Sequence, residues 1–323
     1  MRNLRIIFLL ILAAGSVAAQ AQEKSPVIRR DSALDEIVPA DAKVEKVAGN
    51  LKHVEGPVWI RKGGYLIFSD MPDNVIKKWN PSDGKVSVFL ENSGFTTTTN
   101  PSGHPTPGSN GITVDPQGRI VFCMRGDRQV VRLEKDGRHT VLASQYDGKP
   151  LNRPNDLVYR SDGSLYFTDP ASGPEEDAIN HVFLLKDGKL QLLSHNLLYP
   201  NGLALSPDEK HLYLVDSRET KTIMMFDVHL DGTISNGRVF IDMRSDKAPG
   251  GPDGMKVDQK GNVYSPGPGG LWIMSPKGNH LGTVLIPERA LNLAFGDADG
   301  KSLYLTAQTS LYRIRLKIPG IRP

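Results

Sequence analysis

Asn110-Gly111-Ile112-Thr113-Val114-Asp115, a turn at Gly118 and the run Arg119-Ile120-Val121-Phe122 decide the fold. A short apolar strand opens on an amide side chain, a glycine turn follows, and a second apolar strand returns. The same grammar recurs as Asn155-Asp156-Leu157-Val158 with Ser164 to Phe167, and as Asn201-Gly202-Leu203-Ala204 with Leu212-Tyr213-Leu214. It recurs again as Asp253-Gly254-Met255-Lys256-Val257 with Asn262-Val263-Tyr264, and as Asn292-Leu293-Ala294-Phe295 with Leu303-Tyr304-Leu305. Upstream, the first copy is Glu55-Gly56-Pro57-Val58-Trp59 with Tyr65-Leu66-Ile67-Phe68. The copies lie about 40–55 residues apart, the period of a repeat architecture.

In most copies a third apolar run follows, such as Val75 to Trp79, Val130 to Leu133, Val182 to Leu185 and Ile223 to Phe226. Then comes a second turn at Asp83-Gly84, Asp136-Gly137, Asp187-Gly188 or Asp231-Gly232. Asp-Gly between short β-branched or aromatic runs marks a hairpin, because glycine supplies the positive φ that tight hairpins need. Each unit is therefore a four-stranded meander. Six of them in series, without helical periodicity between them, predict an all-β protein, a six-bladed β-propeller. The last unit supplies three strands, ending with Ser310 to Ile318, so an N-terminal strand at Lys43 to Ala48 is expected to close the last blade. A β-sandwich or a two-domain chain would not produce this repeat.

The domain is thus expected over residues 43–323. Ahead of it, Arg2 and Arg5 precede an apolar run from Ile6 to Ala14 that ends in small residues, the pattern of a signal peptide over residues 1–21. That run is too short to span a bilayer. Residues 22–42 are polar with charges of both signs and read as a polar N-terminal tail. The expected product is exported, periplasmic or secreted. Losing two arginines takes the formal charge from +3 to about +1, which points to no nucleic acid and no membrane insertion. The single cysteine, Cys123, has no internal disulfide partner, and its neighbours Val121, Phe122 and Met124 mark a buried thiol.

In a propeller the inner strands line the channel, so the residues that open them converge at one end. Here they are Glu55, Asn110, Asn155, Asn201, Asp253 and Asn292. All six carry a side-chain oxygen, and none is basic or a sulfur. Such a ring suits a hard cation, whereas Zn²⁺ or Cu²⁺ would recruit His or Cys. Ca²⁺ fits the mixture of amides and carboxylates best, Mg²⁺ demands a tighter octahedron, and Mn²⁺ stays open. Turn preference alone accounts for Asn-Gly and Asp-Gly. It does not account for Glu55.

Glu55-Gly56-Pro57-Val58-Trp59, Arg153-Pro154-Asn155-Asp156, Tyr199-Pro200-Asn201-Gly202-Leu203 and Pro252-Asp253-Gly254-Met255 resemble the signature segments of the regucalcin and gluconolactonase family of calcium propellers. The resemblance runs from about Glu55 to Gly320. More distantly, the chain is similar in plan to diisopropyl-fluorophosphatase and the paraoxonases. The resemblance implies that Glu55, Asn155, Asn201 and Asp253 bind a catalytic cation, with Asp253 also the base or a nucleophile-assisting carboxylate. It implies that Arg153 and Asp156 contact substrate, with Asn110 beside them, and that the substrate is a small lactone. Chemically, such a cation would stabilise the oxyanion formed as water attacks the carbonyl, and Asp253 would take a proton from that water. An esterase or phosphotriesterase on the same site, a non-catalytic propeller and a strictosidine-synthase-like enzyme are the alternatives.

His104 lies in the Thr-, Pro- and Gly-rich loop leading into Asn110 and is a candidate lid wall or proton donor, with a solvated loop histidine as the alternative. Asp70, Arg125, Arg128, Asp169 and His181 belong to loops expected at the same face. Trp59, Trp79 and Trp272 are expected between blades. The sequence has no serine nucleophile elbow, no Walker loop and no dinucleotide fingerprint in a βαβ setting.

Overall fold

A computed structural model describes residues 25–100, 104, 106–171, 179–194 and 196–321. Each repeat forms one antiparallel sheet, and the strand breaks fall where the glycine turns stand. Blade one comprises Val54–Ile60, Tyr65–Asp70, Val75–Trp79 and Val86–Glu91, paired in that order. Blades two to four begin at Ser109–Val114, Leu157–Tyr159 and Pro200–Leu205 and repeat the meander. Blade five begins at Lys256–Val257 and blade six at Ala290–Gly296. The Asp187-Gly188 hairpin shows why the dipeptide was informative. Both residues take positive φ, 50° and 72°, in a two-residue loop between the paired Lys186 and Lys189.

The core is distributed around the ring, with one apolar cluster at each of the six junctions between neighbouring blades. At the closing junction Trp59 stacks on Tyr304 of blade six with ring centroids 5.4 Å apart, and Trp79 tilts against the same ring. Fully burying one large apolar side chain contributes roughly 1.5–3 kcal/mol. A closed ring lets every blade bury both faces. Closure is completed by Val44–Ala48, which pairs antiparallel with Ser310–Arg315 in blade six, as the three-strand count of the last repeat requires. Cys123 is buried at the junction of blades two and three, and burial pushes its thiol pKa well up.

The segment before this closing strand differs from expectation. Val27–Arg29 adds a fifth strand to blade five beside His280–Val284, and a short 3-10 helix at Ser32–Glu36 follows. Leu34, Ile37 and Val38 are buried between blades five and six. Scattered apolar residues among charges give no periodicity to recognise, yet they cover a junction and an edge that would otherwise face water. The leader expected over residues 1–21 lies outside the described residues. Among the described residues no helix is long and apolar enough to cross a membrane.

Candidate functional site

The ring residues converge because the chain lets neighbouring inner strands approach closely. Gly111 N donates to Asn155 O at 2.7 Å, Gly202 N to Asp253 O at 3.0 Å and Gly254 N to Leu291 O at 2.8 Å. These contacts explain the glycine that follows most ring residues. A Cβ on Gly56 would sit 2.0 Å from Asn110 O, and one on Gly202 would sit 2.3 Å from Asp253 O. Gly202→Ala therefore sets backbone against backbone, and overpacking of this kind costs about 1–3 kcal/mol. We expect a lower melting temperature, with the wild-type value counting against this account. In the third repeat Asp156 stands where the glycine would be, and its buried carboxylate accepts from Asn292 Nδ2 at 3.3 Å.

A second device fixes the approach of three ring residues. The aspartate ending the second strand accepts two backbone N–H groups just ahead of the inner strand. Asp70 takes Lys52 N and His53 N, Asp169 takes Asn152 N and Arg153 N, and Asp216 takes Leu198 N and Tyr199 N, at 2.7–3.3 Å. Hydroxyls from the same strands hold the next blade: Ser69 Oγ donates to Asn110 O and Thr168 Oγ1 to Asn201 O, each at 2.8 Å. Two of the loop candidates, Asp70 and Asp169, are thus backbone clamps. Asp70 also pairs with Lys77 at 2.7 Å, and His181 Nδ1 lies 3.8 Å from Asp169.

At this end of the channel opens a cavity of about 500 Å³, within the range of small-molecule sites. Glu55, Asn110, Asn201 and Asp253 line it together, so four blades contribute as the repeat predicted. Asn155, Asp156 and Arg153 are buried but are not among its lining residues. His104 is also outside the lining. Its Nδ1 accepts from the backbone N of Thr106, which does line the cavity. Arg125, one of the loop candidates, is in the wall. Sequence reasoning missed Arg289, whose Nη2 lies 3.8 Å from Asp253 Oδ2. It stands just before the inner strand of blade six, outside the repeated motif, and only the spatial closure of the ring brings it there.

The carboxyl groups in and behind the wall are perturbed by burial and by one another. Burial pushes the Glu55 carboxyl well above its ordinary value, and the neighbouring Asp253 and Asp156 push it further, against hydrogen bonds from Gly56 N and Asn292. Burial raises Asp253 to about 7, although Arg289, an Asn201 hydrogen bond and Arg125 pull it back. Burial raises Asp156 as well, offset by Lys256 and Asn292. Asn110 Oδ1 is buried and has no hydrogen-bond partner. Two desolvated carboxylates and an orphan amide oxygen on one wall are costly alone and compatible together with a bound dication. Among the described residues no three His, Cys, Asp or Glu cluster tightly, so such an ion would rely on amide oxygens as well.

A match to the SMP-30/Gluconolactonase/LRE-like region covers residues 54–309. The chain belongs to this family. Within it, the chain is 36% identical over 304 residues to a gluconolactonase of Zymomonas mobilis, covering 89% of this chain and 85% of that protein. A solved gluconolactonase of Xanthomonas campestris superposes with a TM-score of 0.78 at 31% identity, over 91% of this chain and 96% of that one. Regucalcin of Xenopus laevis is 26% identical over 292 residues, 82% of this chain and 86% of its own. The regucalcin and gluconolactonase resemblance of the ring segments is therefore a family relationship that extends through the blades.

Proposed function

We propose that the protein is a divalent-cation-dependent lactonase that opens a small sugar-type lactone, with Ca²⁺ as its ion. The reading is carried by one observation, the convergence of buried Glu55 and partly exposed Asp253 with the unpartnered Asn110 Oδ1 on a cavity of about 500 Å³. The gluconolactonase relatives support the reaction class. Glu55, Asn155, Asn201 and Asp253 would hold the cation, and their oxygen-only chemistry suits Ca²⁺ better than a nitrogen- or sulfur-seeking metal. When bound, the cation supplies Lewis acidity toward a carbonyl oxygen and offsets the charge of its carboxylates.

The chain's own groups supply the rest. Asp253 takes the proton of the attacking water as the new C–O bond forms at the lactone carbonyl. As the ring C–O bond breaks, that proton returns to the departing alkoxide oxygen, leaving a hydroxy acid. Arg289, beside Asp253, provides positive charge for the carboxylate that appears.

The test is hydrolysis of aldonolactones, aryl esters and phosphotriesters, each with chelator and with Ca²⁺ or Mn²⁺ restored. Lactones should be turned over, chelation should lower the rate by ~10² or more, and Ca²⁺ should restore it. Full activity in chelator would overturn the cation reading, and a panel without any turnover would leave a binding propeller.

A further inference from the structure

The cavity wall carries more positive charge than ring opening requires. Among the described residues its acidic side chains are Glu55 and Asp253, whereas Arg125, Arg218, Lys221 and Arg289 all face the same space. Among the described residues, no carboxylate lies within ion-pair distance of Arg125, Arg218 or Lys221. Arg289 reaches Asp253 only at 3.8 Å. Arg125 is 7% exposed, and its Nε is buried without a hydrogen-bond partner. Arg218 stacks on the Tyr199 ring at 3.8 Å, and Lys221 Nζ donates to Gly250 O at 3.1 Å. Both come from the turn that follows Ser217, whose Oγ donates to Pro252 O next to Asp253. This turn therefore brings two cations to the cavity that Asp253 and Arg289 also line.

Resting on the lactonase reading, we propose that the natural substrate is an acidic lactone. It carries a carboxylate or phosphate outside the ring, held by Arg125, Arg218 and Lys221. A neutral lactone gives the enzyme one carboxylate, and only after the ring has opened. Arg289 and the bound cation suffice for that. Three further cations, which have no carboxylate partner among the described residues, are matched by an anionic group present throughout the reaction. A planar guanidinium held flat by an aromatic ring is already ordered for a two-point contact with such a group.

Three probes test this: glucono-1,5-lactone, its 6-phosphate and a monolactone of glucaric acid. At least one acidic lactone should exceed the neutral one in kcat/KM by about tenfold or more at low ionic strength, with the advantage shrinking through KM as salt rises. The phosphate and carboxylate arms identify the anion. The double variant Arg218→Gln with Lys221→Gln should lose at least about tenfold more kcat/KM on the preferred acidic lactone than on the neutral one. Preference for the neutral lactone, or equal losses on both, would overturn the proposal. If none of the lactones is turned over, the lactonase reading fails. Calorimetric titration with glucarate and with gluconate 6-phosphate then tests the anion site by itself. Binding that the double variant loses supports it, and no binding to the wild type overturns it.

Discussion

Glu55→Gln should lower cation-dependent turnover by ~10³ or more, yet the variant should melt no lower than wild type when no cation is present. The first half follows from charge. A bound dication supplies several kcal/mol of transition-state stabilisation, and each 1.36 kcal/mol is a factor of ten in rate. Glutamine keeps an oxygen that can accept from Gly56 N but removes one of the two carboxylates in the wall. The second half follows from burial, which together with Asp253 drives the Glu55 carboxyl well above its ordinary range. A carboxylate raised in this way binds protons more tightly in the native state than in the unfolded chain. In the metal-free wild type, stability is therefore lost as pH climbs from the ordinary carboxylate range, and the variant should lose less of it. Melting curves with and without Ca²⁺ read both halves. At a hundredfold excess over Kd, ligand linkage stabilises by ~2.7 kcal/mol, so the wild type should rise with Ca²⁺ and the variant should not. A variant that keeps both its Ca²⁺-dependent rise and its turnover would place the cation elsewhere.

The propeller was legible because each of its rules is local. Gly after an Asn or Asp, then an apolar strand and an Asp-Gly hairpin, is written within a few residues, and six copies multiply the signal. The ring was legible for the same reason, since equivalent positions must meet once the blades close. Interactions that join separate copies were not legible. Arg289 reaches Asp253 only across the loop into blade six. Asp70, Asp169 and Asp216 end strands in what looks like ordinary polar punctuation, and their role as clamps depends on backbone N–H groups 16–18 positions upstream. The 27–38 segment has the composition of a tail because its apolar residues have no helical or alternating period, and their burial exists only where blades five and six meet. The two carboxylates come from blades one and five, so the pattern showed where oxygens would gather but not how strongly burial would perturb them.

That perturbation gives Asp253 two conflicting duties. Without a cation its carboxyl is held up to about 7, a value at which it exchanges protons readily near neutrality, but a carboxylate that ligates a dication is a weaker base. Asp253→Asn separates the duties, because asparagine keeps a coordinating oxygen and has no site for the proton. With the cation saturating, kcat should fall by ~10² or more while Ca²⁺ affinity falls only modestly. Arg289 would lose its carboxylate neighbour, and the side-chain hydrogen bond with Asn201 would remain available to the amide oxygen. The pair of measurements is a calorimetric Ca²⁺ titration and kcat at an ion concentration far above the variant's own Kd, so that occupancy is equal in both proteins. If kcat at full occupancy stays near the wild-type value, Asp253 is a ligand only. The proton then has to leave through another group, with buried Asp156, whose charge acts on Asp253, one candidate and His104, beside Thr106, the other.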